Sequence, residues 1–418
     1  MQRIFILPGI SPVAMMQAII LAAGEGSRMR PLTSKLPKVM LPIAGRPLLE
    51  HIIIRAHKAG ADNIILVIGY GADSVRSHFG DGSSLGVKIN YAIQKKQMGT
   101  GDALMAAKAH AENRFLVLNG DILPDTESLK NIVSSNEESV AARQVSDPSR
   151  YGVFLEKNGN MKSVIEKCPN PPSNLANAGI YLFERSIFDA LSQINQSKRG
   201  EYELTDALNI LAKKDRIRIV ELKDWMEIGR PWDILAANEA LLKNIERKVE
   251  GEIEPGATLN GNISVGKDTI IRSGAYITGP VTIGEDCDIG PNCYIRPSTC
   301  IGNKVRIGNA VEIKNSTIMD GTKIGHLSYV GDSIIGSDSN FGAGTICSNL
   351  RHDKANIKSY IKGARVDSGR RKLGAIIGDD VKTGIHTTIY PGTVIESGFR
   401  GLPAAILKGF VSAKGDKH

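Results

Sequence analysis

Several features that would mark a specialised class of protein are scarce or missing in this chain of 418 residues. The five cysteines are an odd number, with no Cys-x-x-Cys pair and no histidine at zinc spacing, so neither a disulfide framework nor a zinc module is indicated. No apolar run approaches the ~18–20 residues of a membrane helix. We therefore expect a protein of a reducing compartment, the cytoplasm, without a membrane partner.

The composition is that of an ordinary globular protein. Hydrophobic and charged residues make up 42% and 23% of the chain, which excludes a disordered or collagen-like molecule. The formal net charge of +8 is compatible with nucleic acid, but the basic residues are spread along the whole chain without a nucleic-acid-binding motif. We expect small anionic substrates instead, and no nucleic-acid partner.

The composition changes near residue 250, which predicts two unlike halves. Both tryptophans and nine of the ten methionines precede this point, and the chain beyond it is rich in Gly, Ile and Asp. Prolines interrupt the apolar start of the chain, so we interpret it as an extension before a true start at Met15 or Met16. The predicted segments are the extension 1–15, a first domain 16–231, an amphipathic linker helix 232–250 and a repeat domain 251–418.

The first half alternates strand patterns with helix patterns. Continuous apolar runs of the buried-strand type occur at 17–24, 63–69, 87–93 and 115–121. Amphipathic helix patterns lie between them. This alternation predicts a parallel sheet covered by helices on both faces, with ligands bound at the carboxyl ends of the strands.

The second half is a repeat in which an aliphatic residue recurs at every sixth position. The unbroken series is Ile253, Leu259, Val265, Ile271, Ile277, Ile283, Ile289, Ile295, Ile301, Ile307 and Ile313. The register then slips by one residue before Ile318 and again before Ile335. Such a hexapeptide period predicts a left-handed parallel β-helix, in which Cys287 and Cys293 are small corner fillers rather than ligands.

The loop after the first strand carries glycines and cations. Gly24 and Gly26 are followed by Arg28 and Lys38, and Met29 occupies the position where a dinucleotide fingerprint needs a third glycine. Two fixed cations beside backbone N–H groups suit a polyphosphate.

With the segments that follow it, this loop resembles the signature of the sugar-1-phosphate nucleotidylyltransferases. The resemblance implies an α/β, Rossmann-like nucleotidyltransferase domain in which Arg28 and Lys38 are catalytic. It implies a nucleotide site formed by Ala23, Gly24, Gly26, Gln94, Gly99 and Thr100. It implies a sugar-phosphate site formed by Gly152, Glu166, Lys167, Asn177 and Thr205.

The same resemblance implies a Mg²⁺ site held by Asp121 and Glu227. Asp121 closes a strand, as the metal-binding Asp of the family does. Glu227 stands where the family mostly has Asp or Asn, and Ala178 replaces a commoner Thr, which leaves the choice of sugar open.

At the second slip of the repeat stands one histidine, His326. A lone histidine on a β-helix is by default a solvated surface residue. However, the run 323–350 resembles the acetyltransferase half of the bifunctional N-acetylglucosamine-1-phosphate uridylyltransferase/glucosamine-1-phosphate N-acetyltransferases, including archaeal members. The resemblance implies that His326 is the catalytic base. It implies substrate binding by Arg296, Lys314, Tyr329, Asn340, Ala343 and Asn349.

The sequence therefore predicts a bifunctional enzyme of UDP-N-acetylglucosamine biosynthesis, which uses acetyl-CoA and either UTP or dTTP, and which forms a homotrimer. One alternative is a glucose-1-phosphate thymidylyl- or uridylyltransferase with an oligomerising β-helix. A second is a non-catalytic assembly subunit. Uracil and thymine differ by a methyl group, worth only ~1–3 kcal/mol, so the sequence leaves the nucleotide open. It leaves the sugar open as well, together with the role of the basic loop 351–372.

Overall fold

A computed structural model describes residues 16–214 and 216–413 of the chain. The predicted extension at 1–15 lies outside the described residues. Contacts divide the chain into two compact units: the first comprises the chain up to Gly24 together with Leu49–Met226, and the second comprises Glu25–Leu48 together with the chain from Glu227 onward. Neither unit is continuous in sequence, and the predicted domain boundaries stay a prediction.

The first unit is built on a nine-stranded mixed sheet. In spatial order its strands are Lys88–Ile93, Ala61–Ile68, Met16–Leu21, Arg114–Asn119, Leu175–Glu184, Ser139–Gln144, Arg218–Glu221, Asn160–Ile165 and Val153–Lys157. The first four are mutually parallel, as the apolar runs predict, and Leu175–Glu184 joins them in the antiparallel direction. Ile19, Val67 and Val117, from three of the parallel strands, are fully buried.

The helices Leu48–Lys58, Ala72–Phe79 and Thr100–Ala106 coincide with helix patterns of the sequence. Further helices are Thr126–Val133, Ser186–Leu191 and Leu204–Leu211, and short strands occur at Ile122–Pro124 and Trp225–Glu227. Helix Leu48–Lys58 is amphipathic: Leu49, Ile52 and Ile53 are buried because they recur on one face at helical spacing. No helix among the described residues is long and apolar enough to span a membrane.

The second unit contains the predicted parallel β-helix. Its first face has the strands Lys248–Val249, Ile263–Val265, Val281–Ile283, Thr299–Ile301, Thr317–Ile318, Ile334–Ile335, Ile376–Ile377, Val394–Ile395 and Phe410–Val411. Its second face has Glu252–Ile253, Ile270–Ile271, Asp288–Ile289, Arg306–Asn309, Lys323–His326 and Asn340–Phe341. Its third face has Thr258–Asn260, Tyr276–Thr278, Tyr294–Ile295, Glu312–Lys314, Tyr329–Gly331, Ile346–Cys347, Thr388–Ile389 and Ile406–Leu407.

The six-residue period sets the register of this helix. Ile283 pairs with Ile301, eighteen residues later, so each coil contributes one short strand to each face. The first slip shortens a coil by one residue, since Ile301 pairs with Ile318. The predicted aliphatic positions form one continuous buried core. Cys287 and Cys293 are buried in it, and burial raises the pKa of the Cys293 thiol to about 12, as expected of corner fillers.

The predicted linker helix 232–250 is too long. The α-helix covers Asp233–Leu241, a 3₁₀ turn follows at Leu242–Asn244, and Lys248–Val249 is already a β-helix strand. The amphipathic pattern continues past Asn244, but the chain there pairs in parallel with Ile263–Val265, and this tertiary pairing overrides helix propensity.

The loop 25–48 is fixed to the β-helix by one buried side chain, Asn238. The Asn238 side-chain oxygen accepts a hydrogen bond from the Ala44 backbone N–H (2.7 Å), and its Nδ2 donates to the Thr317 hydroxyl (2.8 Å). Asn238 and Thr317 are fully or almost fully buried. The loop that carries both predicted phosphate cations thus belongs to the unit that contains the β-helix.

Candidate functional sites

In the first unit, the predicted nucleotide-binding residues other than Gly26, which belongs to the second unit, lie in or next to loops that follow the parallel strands. Gln94 is buried, and its Nε2 donates to the Asp102 carboxylate (2.8 Å) and to the Gly99 carbonyl (3.1 Å). The Ala23 carbonyl accepts from the Tyr70 N–H (3.1 Å). A side chain at Gly99 would lie 2.5 Å from the Tyr202 carbonyl oxygen, so only glycine fits there. The amide of Gln94 and the backbone around Gly99 form one rigid group.

The predicted sugar-binding residues come together around Glu166. The Thr205 hydroxyl lies 3.4 Å from a Glu166 oxygen, and the Lys167 ammonium lies 3.7 Å from the other. A Cβ atom at Gly152 would lie 2.8 Å from Glu166, and the Gly152 carbonyl accepts from the Asn177 N–H (2.8 Å). These contacts unite residues that are up to 53 positions apart in the sequence.

Sequence analysis missed Arg199 and Glu203 at this cluster. The Arg199 guanidinium donates to Glu166 (3.1 Å) and to Glu203 (2.7 Å). Burial raises the pKa of Glu203, and Arg199 opposes that rise. Arg199 and Glu203 lie six and two residues before the predicted sugar-binding residue Thr205, so their position near it was the available signal.

Asp121 follows the central strand Arg114–Asn119, and the Gly120 N–H beside it donates to the carbonyl of Leu21 on the neighbouring strand (2.9 Å). Tyr181 is buried in the same unit. Burial raises the pKa of the Tyr181 hydroxyl, and the negative charges of Glu166 and Asp121 raise it further. Asp121 and the sugar-binding carboxylate therefore contribute to one electrostatic environment.

In the second unit, Gly26 and Lys38 are packed against each other. Gly26 has φ +74°, and a Cβ atom there would lie 2.5 Å from the Lys38 Cβ. Lys38 is buried, whereas Arg28 is exposed and its guanidinium lies 3.9 Å from the Glu227 carboxylate. The predicted cations and one predicted metal carboxylate thus share this unit.

The two predicted metal ligands belong to different units, Asp121 to the first and Glu227 to the second. Among residues 16–214 and 216–413, no group of three or more His, Cys, Asp or Glu side chains could hold a metal ion. Carboxylate oxygens are the donors that Mg²⁺ prefers, and Mg²⁺ commonly takes its other ligands from substrate phosphates and water. Each of the two carboxylates is therefore of the donor type that suits Mg²⁺.

At the second site, His326 and Tyr329 lie on either side of one corner of the β-helix. His326 ends a strand of the second face, Tyr329 begins a strand of the third face, and both strands run through the same coil. The His326 carbonyl accepts from the Gly344 N–H (3.3 Å), which brings the segment 342–344 of the next coil to this corner. Asn340 is exposed on the second face, in register with Lys323.

The other predicted residues of this site lie along the third face. Arg296 pairs with Glu312 (2.9 Å), and the Asn349 Nδ2 donates to the Tyr329 hydroxyl (3.1 Å). Burial raises the pKa of Tyr329, and the negative charges of Asp332 and Glu312 raise it further.

Sequence analysis did not single out Asp332. Its buried carboxylate forms an ion pair with the Lys314 ammonium (3.3 Å). Its only sequence signal is its position directly after the strand Tyr329–Gly331.

Comparison with known proteins shows which family the chain belongs to. The family model described as nucleotidyl transferase matches residues 17–244, and a model described as the GMPPB C-terminal domain matches 277–397. A bifunctional sugar-1-phosphate nucleotidylyltransferase/acetyltransferase of Sulfurisphaera tokodaii is 43% identical over 94% of this chain and 97% of its own length. The chain belongs to the family of bifunctional sugar-1-phosphate nucleotidylyltransferases/acetyltransferases.

Other members and a solved structure agree with this assignment. The bifunctional protein GlmU of Methanocaldococcus jannaschii is 42% identical over 91% of this chain and 92% of its own length. A crystal structure of UDP-glucose pyrophosphorylase with UDP-glucose matches with a TM-score of 0.50 and 28% identity, and covers 55% of this chain and 99% of that one. The predicted fold class and the predicted pairing of two transferase activities are confirmed, and a non-catalytic subunit is not supported.

Proposed function

We propose that this enzyme makes UDP-N-acetylglucosamine in two steps. It first transfers an acetyl group from acetyl-CoA to glucosamine 1-phosphate, and it then joins the N-acetylglucosamine 1-phosphate to UTP. The observation that carries this proposal is the cluster formed by Lys314, Tyr329 and Asn349, with His326 across one corner of the same coil from Tyr329. A purely oligomerising β-helix has no need of these residues together.

In nucleotidyl transfer, a phosphate oxygen of the sugar 1-phosphate attacks the α-phosphorus of the nucleoside triphosphate, and the bond to the β-phosphate breaks to release pyrophosphate. Both reactants are anions, so catalysis depends on positioning and charge neutralisation. Lys38, held by its packing on Gly26, and Arg28 neutralise the phosphates. Gln94 and the Gly99–Thr100 backbone bind the base, with Ala23, Gly24 and Gly26 along the phosphates.

Glu166, Asn177, Thr205 and Gly152 contact the sugar hydroxyls, and Lys167 contacts the sugar phosphate. Asp121 and Glu227 are the residues that would hold Mg²⁺, and a bound ion would supply neutralisation and alignment of the phosphate oxygens.

In acetyl transfer, the amino nitrogen of glucosamine 1-phosphate attacks the thioester carbon, the proton passes to His326, and the C–S bond breaks to release the CoA thiol. Arg296, Lys314, Tyr329 and Asn340 bind the sugar phosphate, and Asn349 aligns the amine. The N–H of Gly342 donates to the Thr383 hydroxyl (3.0 Å) and that of Gly344 donates to His326. Ala343 is therefore our candidate for the N–H that stabilises the oxyanion.

We also propose that the enzyme is a cytoplasmic homotrimer that associates through the β-helix. Leu327, directly after His326, is 61% exposed, and Leu402 is 77% exposed. Contact with another subunit would remove the apolar surface of these side chains from water, which supports the proposed association. All five cysteines are free thiols, which supports a reducing compartment.

A substrate matrix tests the proposal. UTP and dTTP are each combined with glucose 1-phosphate and N-acetylglucosamine 1-phosphate, and pyrophosphate is measured; acetyl-CoA is combined with glucosamine 1-phosphate and galactosamine 1-phosphate, and thiol is measured. We expect the highest kcat/KM for UTP with N-acetylglucosamine 1-phosphate, and thiol release with glucosamine 1-phosphate. Pyrophosphate release only with glucose 1-phosphate, and no thiol release, would favour the single-activity alternative.

A further inference from the structure

A single buried carboxylate lies behind the residues assigned to acetyl transfer. Asp332 is 2% exposed and has φ +48°, in the corner that follows the strand Tyr329–Gly331. Its N–H donates to the Lys314 carbonyl (2.8 Å), and its carbonyl accepts from the Gly374 N–H (2.8 Å). These bonds to the preceding and following coils fix the backbone, so the position of the carboxylate is fixed as well.

Both oxygens of Asp332 accept hydrogen bonds from neighbouring side chains. Oδ1 accepts from the Asn315 Nδ2 (2.8 Å), and Oδ2 accepts from the Asn349 Nδ2 (2.5 Å) and from the Lys314 Nζ (3.3 Å). Two of these three donors, Lys314 and Asn349, are residues that we assign to the amino sugar phosphate. A buried carboxylate bonded in this way is a strong orienting group, because its hydrogen bonds are charge-assisted.

This arrangement determines which atoms the site presents. A carboxylate only accepts hydrogen bonds, so the Asn349 amide must turn its NH₂ group toward Asp332. The second hydrogen of that group donates to the Tyr329 hydroxyl (3.1 Å). The Asn349 oxygen is then the end that points away from Asp332, and the Tyr329 proton is directed away from Asn349. The Asp332 carboxylate thus orients the Asn349 oxygen as an acceptor for the amine and the Tyr329 hydroxyl as a donor for the sugar phosphate.

The neighbouring Gly331 allows these side chains to pack closely on the backbone. A Cβ atom at Gly331 would lie 2.5 Å from both the Asn349 Nδ2 and the Tyr329 hydroxyl oxygen. The side chains are therefore packed directly on the backbone that leads into Asp332. Asn315, on the other side of the carboxylate, also donates to Glu239 of the helix Asp233–Leu241 (2.8 Å).

We propose that Asp332 is a positioning residue for the acetyltransferase: it orients Asn349 and Lys314 toward the amino sugar phosphate without touching the substrate. The proposal rests on the acetyltransferase site proposed above. It assigns a role in the reaction to a residue that neither the sequence motif nor the family resemblance singled out.

Asp332→Asn tests this role, since Asn keeps the shape and tolerates the same positive φ. One amide oxygen cannot replace two carboxylate oxygens that accept from three donors. We expect kcat/KM for glucosamine 1-phosphate to fall roughly 10- to 100-fold, mostly through KM, as for the loss of a charge-assisted hydrogen bond in a site. The KM for acetyl-CoA and the rate of pyrophosphate release should stay within about twofold of the wild type, because Asp332 contacts none of the residues assigned to acetyl-CoA or to nucleotidyl transfer.

Asp286→Asn is the matched control. Asp286 lies at a different corner of the β-helix but also has a positive φ of +56°; its N–H donates to the Lys267 carbonyl (3.0 Å), and its side chain is exposed. An Asp332→Asn enzyme with the same KM for glucosamine 1-phosphate as this control would overturn the positioning role. A wild-type enzyme that releases no thiol from acetyl-CoA with any amino sugar phosphate would overturn the proposed function itself.

Asn315→Gly decides the case if Asp332→Asn fails to fold and also loses pyrophosphate release. Glycine suits the φ of +46° at this position and removes the side chain that donates to Asp332 Oδ1 and to Glu239, while the Asp332 carboxylate stays in place. We expect the KM for glucosamine 1-phosphate to rise about three- to tenfold, since the Asp332 carboxylate loses the hydrogen bond from the Asn315 amide. An unchanged KM in this variant would contradict the proposal.

Discussion

The packing of Gly26 on Lys38 gives a sharp prediction for nucleotidyl transfer. Gly26→Ala places a methyl group 2.5 Å from the Lys38 Cβ and 3.0 Å from its Cδ. Carbon atoms in contact normally lie ~3.5–4.0 Å apart, so the start of the Lys38 side chain must move by about 1 Å. The Cβ cannot rotate out of the way, because it is attached to the backbone.

The change has two separable effects. An alanine in the left-handed region at φ +74° destabilises the fold by ~1–2 kcal/mol. Displacement of a phosphate-binding cation by about 1 Å lowers the rate by up to about a hundredfold. Gly86→Ala is a matched control for the first effect, because Gly86 has φ +73° and its added Cβ meets only the His57 Nε2, at 3.6 Å.

The assay measures pyrophosphate release, thiol release and thermal unfolding for both variants. We expect both variants to lose stability, Gly26→Ala more than Gly86→Ala because of its contact with Lys38. We expect a 10- to 100-fold lower rate of pyrophosphate release in Gly26→Ala alone, about the effect of misplacing a catalytic group. Thiol release should stay near the wild-type rate in both. If Gly26→Ala releases pyrophosphate within twofold of Gly86→Ala, the position of Lys38 does not control the reaction and the reasoning is refuted.

Three further predictions concern the metal, the loop anchor and the thiols. Chelation by EDTA should abolish pyrophosphate release, with recovery on addition of Mg²⁺, and should leave thiol release unchanged; equal loss of both activities would contradict the assignment of Asp121 and Glu227. Asn238→Ala leaves two groups without partners and should reduce the free energy of unfolding by about 2–5 kcal/mol in chemical denaturation, against a small change for the exposed Asn244→Ala. Cys168 is the one cysteine that is not buried, and burial raises the pKa values of the thiols of Cys287, Cys293, Cys300 and Cys347. At pH 8 a thiol reagent should therefore modify Cys168 alone before the protein unfolds. Rapid labelling of more than one thiol would argue against the buried core.

The repeating half was the most predictable part of the molecule. A side chain that points inward at every sixth residue is a local property, so the period specifies both the register and the core, including the slip before Ile318. The parallel strands of the first half were equally readable, because continuous apolar runs mark strands that are buried on both faces. The end of the linker helix was not readable, since pairing of Lys248–Val249 with another strand depends on residues far along the chain.

Individual polar contacts could not be predicted from the sequence for a different reason. Asn238, Arg199 and Asp332 follow no period, and at most their position near a predicted residue or strand distinguishes them from solvated residues. Their roles arise from partners brought close by folding, such as Ala44 and Thr317 for Asn238. For the same reason the sequence did not indicate that the loop 25–48 belongs to the unit with the β-helix.

Two independent active sites in one chain are the central claim, and a crossed measurement on Arg28→Ala and His326→Ala tests it most directly. Pyrophosphate release and thiol release are measured on the same preparation of each variant. We expect Arg28→Ala to reduce pyrophosphate release by more than about tenfold with thiol release intact, since it removes a cation from the phosphates alone. His326→Ala should abolish thiol release with pyrophosphate release intact. If either variant impairs both activities equally, or if thiol release survives without His326, the account is contradicted.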